Sequence, residues 1–163
     1  MFALTVGTLF VNCDKETGFS NESTKDFFKN SSFIEQQEML KNDQMINKLQ
    51  ILGVEYKVIL ETSKKNKLTE LHAEISSLVK QLYEKYGAEN METFLNNQKI
   101  ANTDISNLKI NSNCELELDG TVDYSGCEGF WENLIVTIRV GFCPSSPVEE
   151  LYRCAQAAVC KTC

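Results

Sequence analysis

Histidine occurs once in this chain, tryptophan once and proline twice, and Lys plus Arg are outnumbered 16 to 23 by Asp plus Glu. Each scarcity excludes something. With His72 alone, most schemes in which an imidazole activates a serine or cysteine nucleophile are out of reach; at the start of a predicted helix, His72 reads as a surface or boundary residue. A net charge of −7 argues against a nucleic-acid or anionic-membrane surface, which needs clustered Lys and Arg. The one basic cluster, Lys64-Lys65-Asn66-Lys67, falls in a predicted turn and reads as a solvated loop. No apolar run reaches the roughly 18 to 20 residues that span a bilayer. Gly120, Gly126 and Gly129 lack the Lys-Ser/Thr of a phosphate-binding loop. The expectation is a soluble protein with no cofactor and no resident metal. The 42% of hydrophobic residues suffices for a core in one domain or two small ones.

Cysteine, by contrast, is plentiful: seven, an odd number. Cys13, Cys114 and Cys127 are scattered, whereas Cys143, Cys154, Cys160 and Cys163 crowd the C-terminal end. Zinc would want two C-x-x-C pairs or added histidines, and only Cys160 and Cys163 are so spaced. A disulfide framework would want an oxidising compartment. Reduced thiols acting as small apolar residues are the leading reading. Met1 to Val11 has the length of a signal-peptide core but no basic flank and no small-residue cleavage site, so a β-strand fits better. Asn21-Glu22-Ser23 and Asn30-Ser31-Ser32 are formal glycosylation acceptors, relevant only outside the cell. The expected location is cytoplasmic, with secretion as the alternative.

Along the chain, residues 1–53 read as a strand (Phe2 to Val11), a polar excursion anchored by Phe27-Phe28, and a helix to about Gln50. Ser32 with Glu35 forms a capping box for that helix, whose thin stripe of Leu40, Ile46 and Leu49 suits a surface position; Gly53 makes a break. Residues 54–119 carry the most structured pattern. V-E-Y-K-V-I-L-E alternates so that Tyr56, Val58 and Leu60 share one face and Lys57 and Ile59 the other, as in a half-buried strand. Lys67 to Leu71 reads as a short return strand. Ile75, Leu78, Val79, Leu82 and Tyr86 then follow the 3.6-residue period of an amphipathic helix, stopping at Gly87. Met91 to Leu95 reads as a strand, Asn96-Asn97 as a turn and Gln98 to Ile100 as an extended return. D-I-S-N-L-K-I from Asp104 leads on to Leu116 and Leu118.

That order, with Ile100, Ile105, Ile110, Leu116 and Leu118 at the buried places, resembles a ubiquitin-like β-grasp domain, apart from one residue missing before Asp104. The resemblance implies an α+β fold. Residues 120–132 read as a Gly-containing linker. Residues 133–163 contain N-L-I-V-T-I-R-V, the clearest strand pattern of the chain, then Ser146-Pro147-Val148-Glu149 opening a helix striped by Val148, Leu151, Tyr152, Ala155 and Val159. Strand, turn and helix there look like the opening half of a second β-grasp unit; either the chain is cut from something longer, or Met1 to Val11 completes the sheet by pairing with Leu134 to Val140.

Ubiquitin-like modifiers need a terminal diglycine, and after Leu118 this chain runs on to Cys163 without one. The resemblance therefore implies a fixed internal domain and a non-catalytic interaction or scaffold protein. Its partner surface would be the sheet face opposite the helix, with Ile59, Phe94, Glu115 and Glu117; acids around one aromatic suit a basic protein partner. Glu115 and Glu117 share a predicted strand face as a catalytic pair would, but outward carboxylates in an acidic chain are usually solvation. A secreted disulfide-stabilised effector or toxin-like protein is the alternative. A cysteine-thiolate enzyme lacks any activating neighbour.

Overall fold

A computed structural model describes residues 21–61, 65–102, 127 and 129–162. Among these residues there are seven helices and no strand: α1 (Asn21–Asn30), α2 (Phe33–Lys41), α3 (Gln44–Glu61), α4 (Lys65–Tyr86), α5 (Ala88–Asn102), α6 (Phe130–Gly141) and α7 (Val148–Thr162). The α+β reading, the β-grasp unit at 54–119 and the partial second unit at 133–163 are thereby overturned. The expected strand at Val54 to Glu61 is the second half of α3. Those at Lys67–Leu71, Met91–Leu95 and Gln98–Ile100 lie inside α4 and α5, and N-L-I-V-T-I-R-V lies inside α6. Residues 1–20 and 103–126, including Asp104 to Asp119, lie outside the described residues.

Local signals start and stop several helices where the sequence places them. The Ser32 hydroxyl accepts from Glu35 N–H while Ser32 N–H donates to the Glu35 carboxylate at 2.8 Å, closing the capping box of α2. That helix ends at Lys41, however, and Asp43 begins another: its Oδ1 accepts from Met45 N–H at 2.7 Å, covering a donor that the first turn of α3 leaves over. At the far end of α4, Gly87 takes φ +88° and its N–H reaches the Tyr83 carbonyl at 2.9 Å. A side chain is disfavoured in that left-handed conformation, so α4 turns there into α5.

The core is built around α4 and α6, each of which packs on α3; α6 also packs on α7, and α1 lies on α4 and α5. The stripe Ile75, Leu78, Val79, Leu82 and Tyr86 faces inward from α4 as its period requires. Helix α6 is different: Leu134, Ile135, Val136, Ile138 and Val140 are all buried. A helix enclosed on nearly every side has no polar face to reveal its period, and its β-branched residues imitate a central strand. Leu40, Ile46 and Leu49, expected on a surface helix, are fully buried.

Gly53 breaks nothing. It lies midway along α3, where a Cβ would collide with the Thr137 hydroxyl of α6, so the missing side chain lets the two helices approach closely. The Thr137 hydroxyl itself donates to the Asn133 carbonyl at 2.7 Å. Elsewhere in the core, Phe94 meets the rings of Phe28, Phe33 and Trp131 at centroid distances of 6.0, 5.4 and 5.4 Å. This aromatic cluster joins α1, α2, α5 and α6. A disulfide links Cys143, just after α6, to Cys154 in α7, and Cys127 is also disulfide-bonded. For these cysteines the reading as reduced thiols is overturned.

Candidate functional site

Of the four residues expected to form a partner surface, the two that the structure describes, Ile59 and Phe94, are buried. Ile59 is 5% exposed and packs into the core, and Phe94, at 0%, is the centre of the aromatic cluster. No sheet face exists among the described residues to carry them, and no partner can reach either ring or methyl groups without unfolding the bundle. Glu115 and Glu117 lie outside the described residues.

Two polar clusters are buried instead. His72, expected at a boundary, is 2% exposed, and its Nε2 lies 3.0 Å from the Val140 carbonyl near the end of α6. A carbonyl only accepts, so Nε2 carries the proton and donates. Ser76 Oγ lies 3.4 Å from the same nitrogen but donates to the Gly141 carbonyl at 2.8 Å. Burial, against the opposing pull of the Val140 and Cys143 backbone, holds the imidazole below its ordinary pKa and therefore neutral at pH 7. A serine whose proton points away, beside a nitrogen already protonated, has no base to activate it. Ser76 instead satisfies the Gly141 carbonyl at the end of α6, and His72 adds a second donor to the Val140 carbonyl, which already accepts from Cys143 N–H at 2.9 Å.

The second cluster centres on Asp43. Its Oδ2 accepts from Lys85 Nζ at 2.7 Å and from the Tyr86 hydroxyl at 2.6 Å, while Oδ1 caps α3. Burial pushes the carboxyl up, but these donors together with the Lys85 charge outweigh it and hold the group below its ordinary value. Burial and the adjacent carboxylate push the Tyr86 phenol up, so the phenol stays protonated as a donor. Both oxygens of Asp43 are thus engaged within the protein.

The crevice lined by Gly53, Tyr56, Ile75, Asn133, Val136, Thr137 and Val140 has no room for a water-sized guest. Among the described residues, no three His, Cys, Asp or Glu side chains converge so as to hold a metal ion, and no helix is long and apolar enough to cross a membrane.

Phe27, Ile34, Phe130 and Phe142 are exposed on other elements; on α3 three exposed apolar residues line up. Ile51, Val54 and Val58 are 68%, 55% and 52% exposed, at i, i+3 and i+7 on the outer face of α3. Such spacing aligns them in one stripe along the axis. Their neighbours Leu52, Gly53, Tyr56, Ile59 and Leu60 are turned inward. The stripe is bordered on one side by Lys48 and Glu55 and on the other by Gln50 and Lys57. Sequence reasoning missed it because a strand at Val54 to Glu61 puts Val58 inside and Ile59 outside, whereas a helix reverses the two. The available signal was the 3-4-3-4 spacing of Gln44, Asn47, Ile51, Val54 and Val58, which has meaning only once the segment is helical. No family model, curated protein or solved structure matches this chain.

Proposed function

We propose that this chain is a non-catalytic protein-interaction module that docks a partner along the outer face of α3. The observation that carries this reading is the aligned exposure of Ile51, Val54 and Val58. Fully burying an exposed aliphatic side chain of this size is worth about 1.5–3 kcal/mol, and roughly half of that remains to be gained at each of these half-exposed positions, so a stripe of three on one helix is an anchor for another apolar face. The two polar clusters support it from the other direction, since their hydrogen bonds, His72 Nδ1 being left without one, serve helix ends and an internal ion pair. A basic partner rests on Glu115 and Glu117 alone and forms no part of this reading.

The test is site-specific photo-crosslinking in the producing cell, with a benzophenone side chain at Val54 and, as control, at exposed Glu89 on α5. A discrete adduct from position 54, absent from position 89 and lost when Ile51→Lys is added, is the expected result. Equal or absent labelling at the two positions overturns the reading.

A second reading, a secreted disulfide-stabilised effector, is supported by the Cys143–Cys154 bond and by the bonded state of Cys127. Thiol titration of the unfolded, never-reduced chain tests it. One free thiol or none among the seven cysteines is expected; a majority of free thiols overturns it.

A further inference from the structure

We propose that the occupant of the α3 stripe is a second copy of this chain, in an isologous dimer whose two α3 helices run antiparallel. This rests on the reading that the outer face of α3 is a docking surface, and adds which chain docks there and in which direction.

The spacing is the first argument. Gln44, Asn47, Ile51, Val54 and Val58 alternate steps of three and four along an 18-residue helix, the a and d positions of a two-stranded helical seam. Gln44 and Asn47 are exposed with the three aliphatics, so the whole seam faces outward. In an antiparallel pair, Ile51 of one copy packs beside Val54 of the other, and the two-fold axis passes between these layers. Val58 then lies over Asn47 of the second copy. The apolar centre is closed by polar ends, as a self-limiting contact requires.

Charge chooses the direction. Lys48 and Glu55 flank the seam on the same side, one heptad apart. Antiparallel packing brings Lys48 of each copy to Glu55 of the other, giving two opposite-charge pairs by symmetry. On the opposite flank, Gln50 faces Lys57, with no like charges opposed. Parallel packing gives neither pair: Glu55 would face Gln50, and Lys48 would face Asp43, whose carboxylate is buried against Lys85 and Tyr86. In the free chain Lys48 bonds Glu74 at 2.6 Å, both side chains being about half exposed. Such an exposed pair is weak and leaves the ammonium able to bridge. Two-fold isologous contacts are also the commonest way for one surface to satisfy itself.

Three aliphatic side chains per copy make a small interface of the transient class, so association should appear between micromolar and millimolar concentrations. The experiment is sedimentation velocity on the full, oxidised chain across that range. The expected mass rises with concentration from 18.5 kDa towards twice that value. Val54→Glu, at an exposed position, should weaken association at least tenfold with the monomer's helical circular dichroism unchanged. Lys48→Glu and Glu55→Lys should each weaken it several-fold, because each places like charges across the seam. The double variant should restore it, because the pairs re-form with signs exchanged.

A chain that stays monomeric throughout overturns the proposal, as does a dimer indifferent to Val54→Glu. Weakening by both single swaps without rescue by the double swap overturns the antiparallel arrangement. A concentration-independent fall in Tm for Val54→Glu shows that the chain's own residues cover the seam, and also overturns it. The crosslinking result separates the two levels: an adduct with a different protein from position 54, beside a strictly monomeric purified chain, removes the second copy and keeps the docking surface. A self-adduct of doubled mass supports both.

Discussion

The Asp43 carboxylate and the Tyr86 hydroxyl sit 2.6 Å apart although 43 residues separate them in the chain. With Lys85 alongside, this contact fastens the start of α3 to the end of α4, so one carboxylate both caps a helix and joins two.

Stability should therefore fall with pH in two steps. Asp43 is held below its ordinary pKa in the folded state, so its contribution is present above the unfolded value near 3.9 and is lost as pH falls through the folded value. His72 is also depressed, by burial. Its neutral form is favoured on folding, and stability declines once pH drops below the unfolded histidine value near 6.5. Thermal melts from pH 8 to pH 3 should show an upper limb that His72→Leu removes and a lower limb that Asp43→Asn flattens. Asp43→Ala should cost about 2 kcal/mol at pH 7, through a lost cap and an orphaned phenol.

Phe94 has no solvent contact and touches three other rings. Phe94→Ala should destabilise by about 3–5 kcal/mol. Trp131 is the sole tryptophan and lies against Phe94, so urea melts followed by its emission should show both the lower midpoint and a native spectrum altered before unfolding. An unchanged midpoint would mean that the cluster is not packed as described.

Gly53→Ala should destabilise by about 1–2 kcal/mol, the collision with Thr137 outweighing the usual gain from replacing a helical glycine. Thr137→Ala removes the obstructing hydroxyl. In a double-mutant cycle read by denaturant midpoint, the pair should therefore be more stable than the sum of the single changes.

The Cys143–Cys154 bond spans 11 residues, and a loop of that size is worth about 3 kcal/mol in the chain-entropy description. Replacing both cysteines with serine should lower the urea midpoint accordingly while α1 to α5 keep their helical signal. Full loss of helicity would show instead that folding of the whole bundle depends on the bond.

Residues 54–60 show why part of the fold was illegible. Tyr56 and Leu60 are four apart, a spacing shared by a strand face and a helix face, so both readings bury them and neither is tested by them. The readings diverge at Val58 and Ile59, and only the packing of α4 and α6 against α3 decides that Ile59 is inside and Val58 outside. His72 was misplaced for a related reason: its environment is made by Val140, 68 residues away.

What the sequence determined by itself was whatever neighbouring residues settle among themselves: the capping box of Ser32 and Glu35, the stripe and glycine stop of α4, and the amphipathic face of α7. Those features depend on hydrogen bonds and side-chain periods within a turn or two of helix. The tertiary structure alone decided the all-helical character of α3 and α6 and the exposure of the α3 stripe. Segments rich in β-branched residues are nearly neutral in local preference, and the free energy that commits them comes from surfaces brought together from distant parts of the chain.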